Sequence, residues 1–149
     1  MKTIKNFELR IRRIPVAEAP VGYQTAIAGQ NDLEKLAQSI IGDEAQEVFI
    51  AFSLDVKNKV LGYSEVARGS IDGCGVDIRQ VFRAALIVGA SNLAVAHNHP
   101  SGDPTPSTED IRMTERLVEA GKVIGLPLVD HVVVSDGGSY SFCAHGRIR

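Results

Sequence analysis

The sequence predicts an α/β fold, a single domain with a mixed β-sheet flanked by helices. Three observations lead there. Apolar runs suited to strands alternate along the chain with segments whose apolar residues recur at helical spacing. Two pairs of these runs are joined by short turn-forming stretches, so part of the sheet must be antiparallel. The chain has 149 residues, 44% hydrophobic and 23% charged, enough to bury one core without disulfides or a structural metal. Trp is absent and aromatics make up only 5%, so that core rests on Val, Ile, Leu and Ala.

Residues 1–30 read as an N-terminal arm. Phe7, Leu9 and Ile11 alternate with Glu8, Arg10 and Arg12 as in a half-buried strand, after which Pro15, Pro20 and Gly22 interrupt regular structure. The domain proper is assigned to residues 31–149. Asn31 or Asp32 is expected to cap a helix whose Leu33, Leu36, Ala37 and Ile40 share a face and which Gly42 ends. Glu47 to Leu54, EVFIAFSL, is almost continuously apolar, as in a strand buried on both faces. Asp55 to Asn58 supplies turn residues, and Lys59 to Val66 returns as the second strand of a hairpin.

After Gly69, Gly73 and Gly75, the residues Ile78, Val81, Phe82, Ala85 and Leu86 predict a helix running toward Gly89. Asn92 to His99, NLAVAHNH, is the next buried strand. The segment Pro100 to Pro106, PSGDPTP, is too rich in proline for helix or ladder strand. Ser107 then opens a helix carrying Ile111, Thr114, Leu117 and Val118 toward Gly121. Leu128 to Ser135 and Ser139 to Phe142 form the last two strands around an Asp136-Gly137-Gly138 turn.

Sixteen Lys and Arg against eighteen Asp and Glu leave a formal charge of −2, which argues against a binder driven by contacts to nucleic-acid phosphates. The two cysteines, Cys74 and Cys143, make no CxxC pair and are expected to be reduced small hydrophobes in a cytoplasmic protein. No apolar run has the length of a signal peptide or a membrane span.

The chemistry concentrates between residues 97 and 131, which hold three of the four histidines. His97 and His99 are two apart at the end of a strand, so their imidazoles point to the same side and can converge on one ion. Beyond the proline loop, Asp110 follows Ser107 by three residues at a helix start, facing back across that loop. Two nitrogens and one carboxylate oxygen leave the fourth tetrahedral position open for water, the arrangement of a catalytic site. The plainer reading of Ser-x-x-Asp is a helix cap, which accounts for neither histidine. Both readings can hold at once, since a capping Ser107 can still offer its hydroxyl to a substrate.

The run HNHPSGDPTPSTED contains His-x-His, seven residues, Ser, two residues and Asp, and so resembles the JAMM/MPN+ (JAB-type) metalloprotease superfamily. With the following LVDHVVV, the hairpin from Asp55 to Val60, the glycines near Gly69 and the final Ser-x-Ser-Phe, it is similar to the RadC-like JAB domain over about residues 40–146. That resemblance implies a JAB/MPN, cytidine-deaminase-like fold and a zinc ion held by His97, His99 and Asp110. It implies that Ser107 hydrogen-bonds the attacking water or the developing oxyanion. It further implies an upstream glutamate as general base, and Glu47, fifty residues before His97, suits that position better than Glu44 or Glu65. A carboxylate at the mouth of a buried strand is otherwise costly unless it is partnered, although a solvated strand end would also accommodate it. The implied reaction is hydrolysis of a peptide, isopeptide or other amide bond.

Asp103 is a further candidate for substrate contact, against the simpler expectation of turn chemistry. His131 is either a support for the metal ligands or a hydrogen-bonded core histidine, and His145 is expected to be exposed without a partner. The RadC resemblance also brings an alternative function, a nucleic-acid-associated repair module with a structural or vestigial metal site. Longer RadC proteins carry an N-terminal helix-hairpin-helix region that residues 1–40 do not match. The basic residues Lys2, Lys5, Arg10, Arg12 and Arg13 fit the wet face of an edge strand better than a phosphate-binding patch. An interaction domain without metal ligands is the third possibility, disfavoured because every ligand position is filled.

Overall fold

The structure is a computed structural model and describes residue 4 and residues 26–69 and 75–149. The expected strand around Phe7, Leu9 and Ile11, the basic cluster, Gly73 and Cys74 lie outside the described residues. Eight elements follow in the order α1 (Gln30–Ile41), β1 (Val48–Leu54), β2 (Val60–Arg68), α2 (Ile78–Ile87), β3 (Asn92–Asn98), α3 (Thr108–Ile124), β4 (Leu128–Ser135) and β5 (Gly138–Ser141). The strands form one sheet in the order β2-β1-β3-β4-β5. Only β3 and β4 are parallel; the other neighbours are antiparallel, so the sheet is mixed as the sequence predicts.

Every residue of β1 is buried, because both faces of the sheet are covered. Its alternate residues divide between two cores. Val48, Ile50, Phe52 and Leu54 pack with Leu33, Leu36, Ala37 and Ile41 of α1, together with Ala94, Ala96, Val132 and Val134. Phe49 and Ala51 face the other way, toward Val81, Phe82 and Ala85 of α2 and Leu117 of α3. The period-2 alternation of side chains thus fills two apolar layers from a run that shows no polar alternation.

Local chemistry sets the element ends, and two helix ends differ from the sequence expectation. Helix α1 begins at Gln30 with Gly29 as its N-cap; Asp32 acts from inside the first turn, its Oδ2 accepting the Ala28 N–H at 2.9 Å. On the core-facing side of that helix, Ile40 packs half-buried as expected and Ile41 joins it fully buried. Helix α3 does not stop at Gly121. A Cβ there would lie 2.6 Å from the Leu126 carbonyl oxygen, so this glycine permits close packing, and the left-handed residue that ends the helix is Gly125, with φ of 79°. The β1–β2 turn is closed by Asp55, whose Oδ1 accepts the N–H groups of Lys57 and Lys59 at 2.8 and 2.9 Å while Asn58 takes φ of 59°.

At the β4–β5 turn, a Cβ on Gly137 would strike the Gly102 carbonyl oxygen. The proline loop is therefore pressed against the end of the last hairpin. Cys143 is free and exposed. No helix among the described residues is long and apolar enough to cross a membrane.

Candidate metal centre

Four side chains from three separate places meet at one end of the sheet. Glu47 immediately precedes β1, His97 lies near the end of β3, His99 follows that strand, and Asp110 sits in the first turn of α3. One ligand atom from each lies within 4.8 Å of the others. The sheet register brings this about: Phe49 pairs with His97 across the antiparallel β1–β3 ladder, which sets Glu47 beside the histidines. The His99 N–H donates to the Val134 carbonyl at 2.9 Å, so the second histidine stays tied to β4 after the strand ends.

The distances suit a small tetrahedral ion. His97 Nε2 and His99 Nε2 are 3.0 Å apart. Asp110 Oδ1 is 3.3 Å from His97 Nε2, and Asp110 Oδ2 is 3.4 Å from His99 Nε2. Bonds of about 2.0–2.1 Å to a tetrahedral centre require ligand separations of about 3.3 Å, and a two-imidazole, one-carboxylate set matches zinc chemistry. Glu47 Oε1 stands slightly farther back, 3.9 Å from His97 Nε2 and 3.8 Å from His99 Nε2. It is also the most open of the four, its side chain 29% exposed against 1% for His97.

Ser107 and Asp110 form a reciprocal cap. Ser107 Oγ accepts the Asp110 N–H at 3.1 Å and Asp110 Oδ2 accepts the Ser107 N–H at 2.8 Å, so the capping reading of Ser-x-x-Asp holds. The same bonds lock the Asp110 carboxylate at the centre. Burial pushes the Asp110 carboxyl up, but His97 and His99 outweigh it and hold the group well below the usual carboxylate range. Asp110 in turn raises the pKa of His99, against partial burial, with help from the Asp103 carbonyl.

Glu44 and Glu65 are occupied elsewhere. Arg68 donates to Glu44 at 2.7 and 3.1 Å and to Glu65 at 2.8 and 3.0 Å, a network on the exposed surface. Among the three candidate glutamates, only Glu47 belongs to the cluster.

Asn98, which sequence reasoning passed over, anchors Glu47. Its Oδ1 accepts the Val48 N–H at 2.7 Å, and its amide donates to the carbonyls of Gln46 and Glu44 at 3.0 and 3.2 Å. The backbone on both sides of Glu47 is thus pinned by one buried side chain. The signal was an amide inside the apolar strand LAVAHNH, since a buried amide requires partners.

Asp103 contributes its backbone and not a free carboxylate. Its Oδ1 accepts the Thr105 N–H at 2.9 Å, while its carbonyl accepts His99 Nδ1–H at 2.8 Å. His131 is fully buried, and burial holds its imidazole well below its ordinary pKa. Its Nε2 lies 2.8 Å from His97 Nδ1, and its Nδ1 lies 2.7 Å from Thr114 Oγ1. His131 is thus a hydrogen-bonded core histidine, and one of its partners is His97. His145, expected to lack a partner, stacks on Tyr140 with ring centroids 4.0 Å apart and places Nδ1 2.7 Å from the Ser141 carbonyl.

A model of the RadC-like JAB domain matches residues 27–147. A UPF0758 protein of Methanosarcina acetivorans is 38% identical over 143 residues, covering 96% of this chain and 61% of the relative. A UPF0758 protein of Clostridium perfringens is 42% identical over 113 residues, covering 76% of this chain and 50% of the relative. The chain thus spans one half to three-fifths of the length of these relatives.

Proposed function

The chain belongs to the RadC-like JAB domain family, and on that premise we propose that it is a zinc-dependent hydrolase of amide bonds, acting on a peptide, isopeptide or related substrate. The observation that carries this reading is the convergence of His97, His99, Asp110 and Glu47 within 4.8 Å of one another, with the glutamate set back and open to solvent.

His97, His99 and Asp110 would hold the ion, leaving Glu47 unengaged as a ligand. When bound, zinc supplies Lewis acidity, lowering the pKa of water toward 7 and polarising the substrate carbonyl. Glu47 takes one proton from the water as its oxygen bonds to the carbonyl carbon. It then returns that proton to the amine nitrogen as the carbon–nitrogen bond breaks. The Ser107 oxygen is an acceptor in the helix cap, so its own proton remains available to the carbonyl oxygen as negative charge develops there. Asn98 keeps Glu47 in place through the backbone on either side.

The test is hydrolysis of peptide and isopeptide substrates by the zinc-loaded protein and by its Glu47→Gln variant. The expected result is a loss of about 10²–10⁴-fold in kcat with zinc retained. Equal rates for the two proteins would refute the role of Glu47.

A further inference from the structure

The centre works only if both histidines present an Nε2 lone pair. A histidine free in water favours the opposite arrangement, with the proton on Nε2. For His99 the correction is direct: Nδ1 lies 2.8 Å from the Asp103 carbonyl, which can only accept, so the proton sits on Nδ1. His97 differs, because its Nδ1 meets another imidazole.

We propose that Thr114 and His131 are positioning residues that fix the proton of His97 on Nδ1 and so hold its Nε2 as a lone pair aimed into the centre. The direction follows from the far end of the chain of contacts. Thr114 Oγ1 lies 2.7 Å from the Asp110 carbonyl oxygen, which has no proton to give, so the hydroxyl donates there. Having spent its only proton, Oγ1 must accept across its 2.7 Å contact with His131, whose Nδ1 therefore carries hydrogen. The His131 ring is fully buried between Phe49 and Phe142, with centroids 5.5 and 4.7 Å away, an apolar enclosure that disfavours an imidazolium and keeps the ring neutral. Its Nε2 is then a lone pair, and the 2.8 Å contact with His97 Nδ1 requires the proton to belong to His97. One backbone carbonyl thus dictates a tautomer through two side chains, and that carbonyl belongs to Asp110, itself one of the four groups of the centre.

The importance of this relay to metal binding rests on the zinc reading above, but its existence does not. The first measurement is therefore made without metal. Long-range ¹⁵N–¹H correlation spectra of the metal-free, uniformly labelled protein, recorded above the ordinary imidazole pKa, report which ring nitrogen carries hydrogen. The expected result is Nδ1–H for both His97 and His131; an Nε2–H on either ring overturns the proposal.

The second measurement is zinc affinity. Thr114→Val removes the hydroxyl and is expected to mix the His97 tautomers and weaken zinc binding about 10–100-fold, the usual effect of losing a group that orients a ligand. Thr114→Ser is expected to restore both. Unchanged tautomer and affinity in Thr114→Val overturn the proposal, as does a Thr114→Ser protein that is folded but resembles Thr114→Val. Should Thr114→Val fail to fold, the wild-type spectrum and Thr114→Ser decide the matter. Absence of zinc uptake by the wild type would refute the metal reading and leave the ring spectrum to judge the relay.

Discussion

The two faces of this sheet are built from the same strands and contain different chemistry. Against α1 the packing is mostly hydrocarbon: Ile50, Phe52, Ala94, Ala96, Val132 and Val134 meet Leu33, Leu36 and Ala37, with Asn98 at one end of the face and Asp130, which accepts from Ser141 Oγ at 2.7 Å, toward the other. On the face toward α2 and α3, the same alternation starts with Leu93 and Val95 and ends in His97, with His131 and Thr114 buried beside it. Phe49 lies flat on His97 with centroids 5.9 Å apart, and Phe142 lies flat on His131 at 4.7 Å. The first face needs mainly volume and shape, with hydrogen-bond partners for Asn98 and Asp130 toward its ends. The second needs partners for a whole group of buried imidazoles, and among the described residues no buried side-chain polar atom on either face lacks one.

The sharpest way to break this contrast is to truncate the same residue type on each side. Phe49 and Phe52 are both fully buried on β1 and face opposite layers. Phe49→Ala and Phe52→Ala should each cost about 3–5 kcal/mol in denaturant unfolding. Only Phe49→Ala should also weaken zinc binding, because only Phe49 packs on an imidazole of the centre. Equal zinc affinities in the two variants would mean that the faces are not specialised.

A smaller effect is expected at the rim. Asn98→Leu removes the partners of the Val48 N–H and of the Gln46 and Glu44 carbonyls. It should cost about 1–3 kcal/mol and lower kcat while leaving zinc affinity close to wild type. A zinc affinity that falls with kcat would place the effect of Asn98 on the histidines and not on Glu47. Next in size, Gly121→Ala forces a methyl against the Leu126 carbonyl and should cost about 1–3 kcal/mol, read as a lower denaturation midpoint.

The smallest expected effect is electrostatic. In the metal-free protein the folded-state pKa of His99 is raised by Asp110, so its contribution to stability is complete below about 6.5 and is lost as pH rises through the folded value. The Asp110 carboxyl is depressed, so its contribution is complete above about 3.9 and is lost as pH falls through its folded value. Metal-free stability should therefore decline as pH rises above about 6.5, and His99→Gln should flatten that limb of a pH series of thermal melts.

The same contrast explains what could be read in the sequence. The buried strand Val48 to Leu54, both hairpins and the helical faces follow from periodicity and turn residues, which act locally. The end of α3 was misplaced because Gly121 and Gly125 look alike in sequence; one permits close packing and the other a left-handed turn, and only the tertiary contact separates them. His97, His99 and Asp110 are legible because strand and helix spacing bring them to one side. Glu47 stands fifty residues away, and its place depends on the β1–β3 register, so resemblance was needed to single it out. The link from Asp110 through Thr114 and His131 to His97 joins residues 17 and 34 positions apart. Contacts of that kind have no periodic signature, because they exist only once two layers have packed.

The central claim, that these residues hold a metal ion, is tested most directly by titrating zinc into the metal-free wild type and into His97→Ala and His99→Ala, with bound metal measured by elemental analysis. One tightly held zinc per wild-type chain and its loss in both folded variants is the predicted result. Absence of tight zinc uptake by the wild type, or equal uptake by all three proteins, would contradict the account.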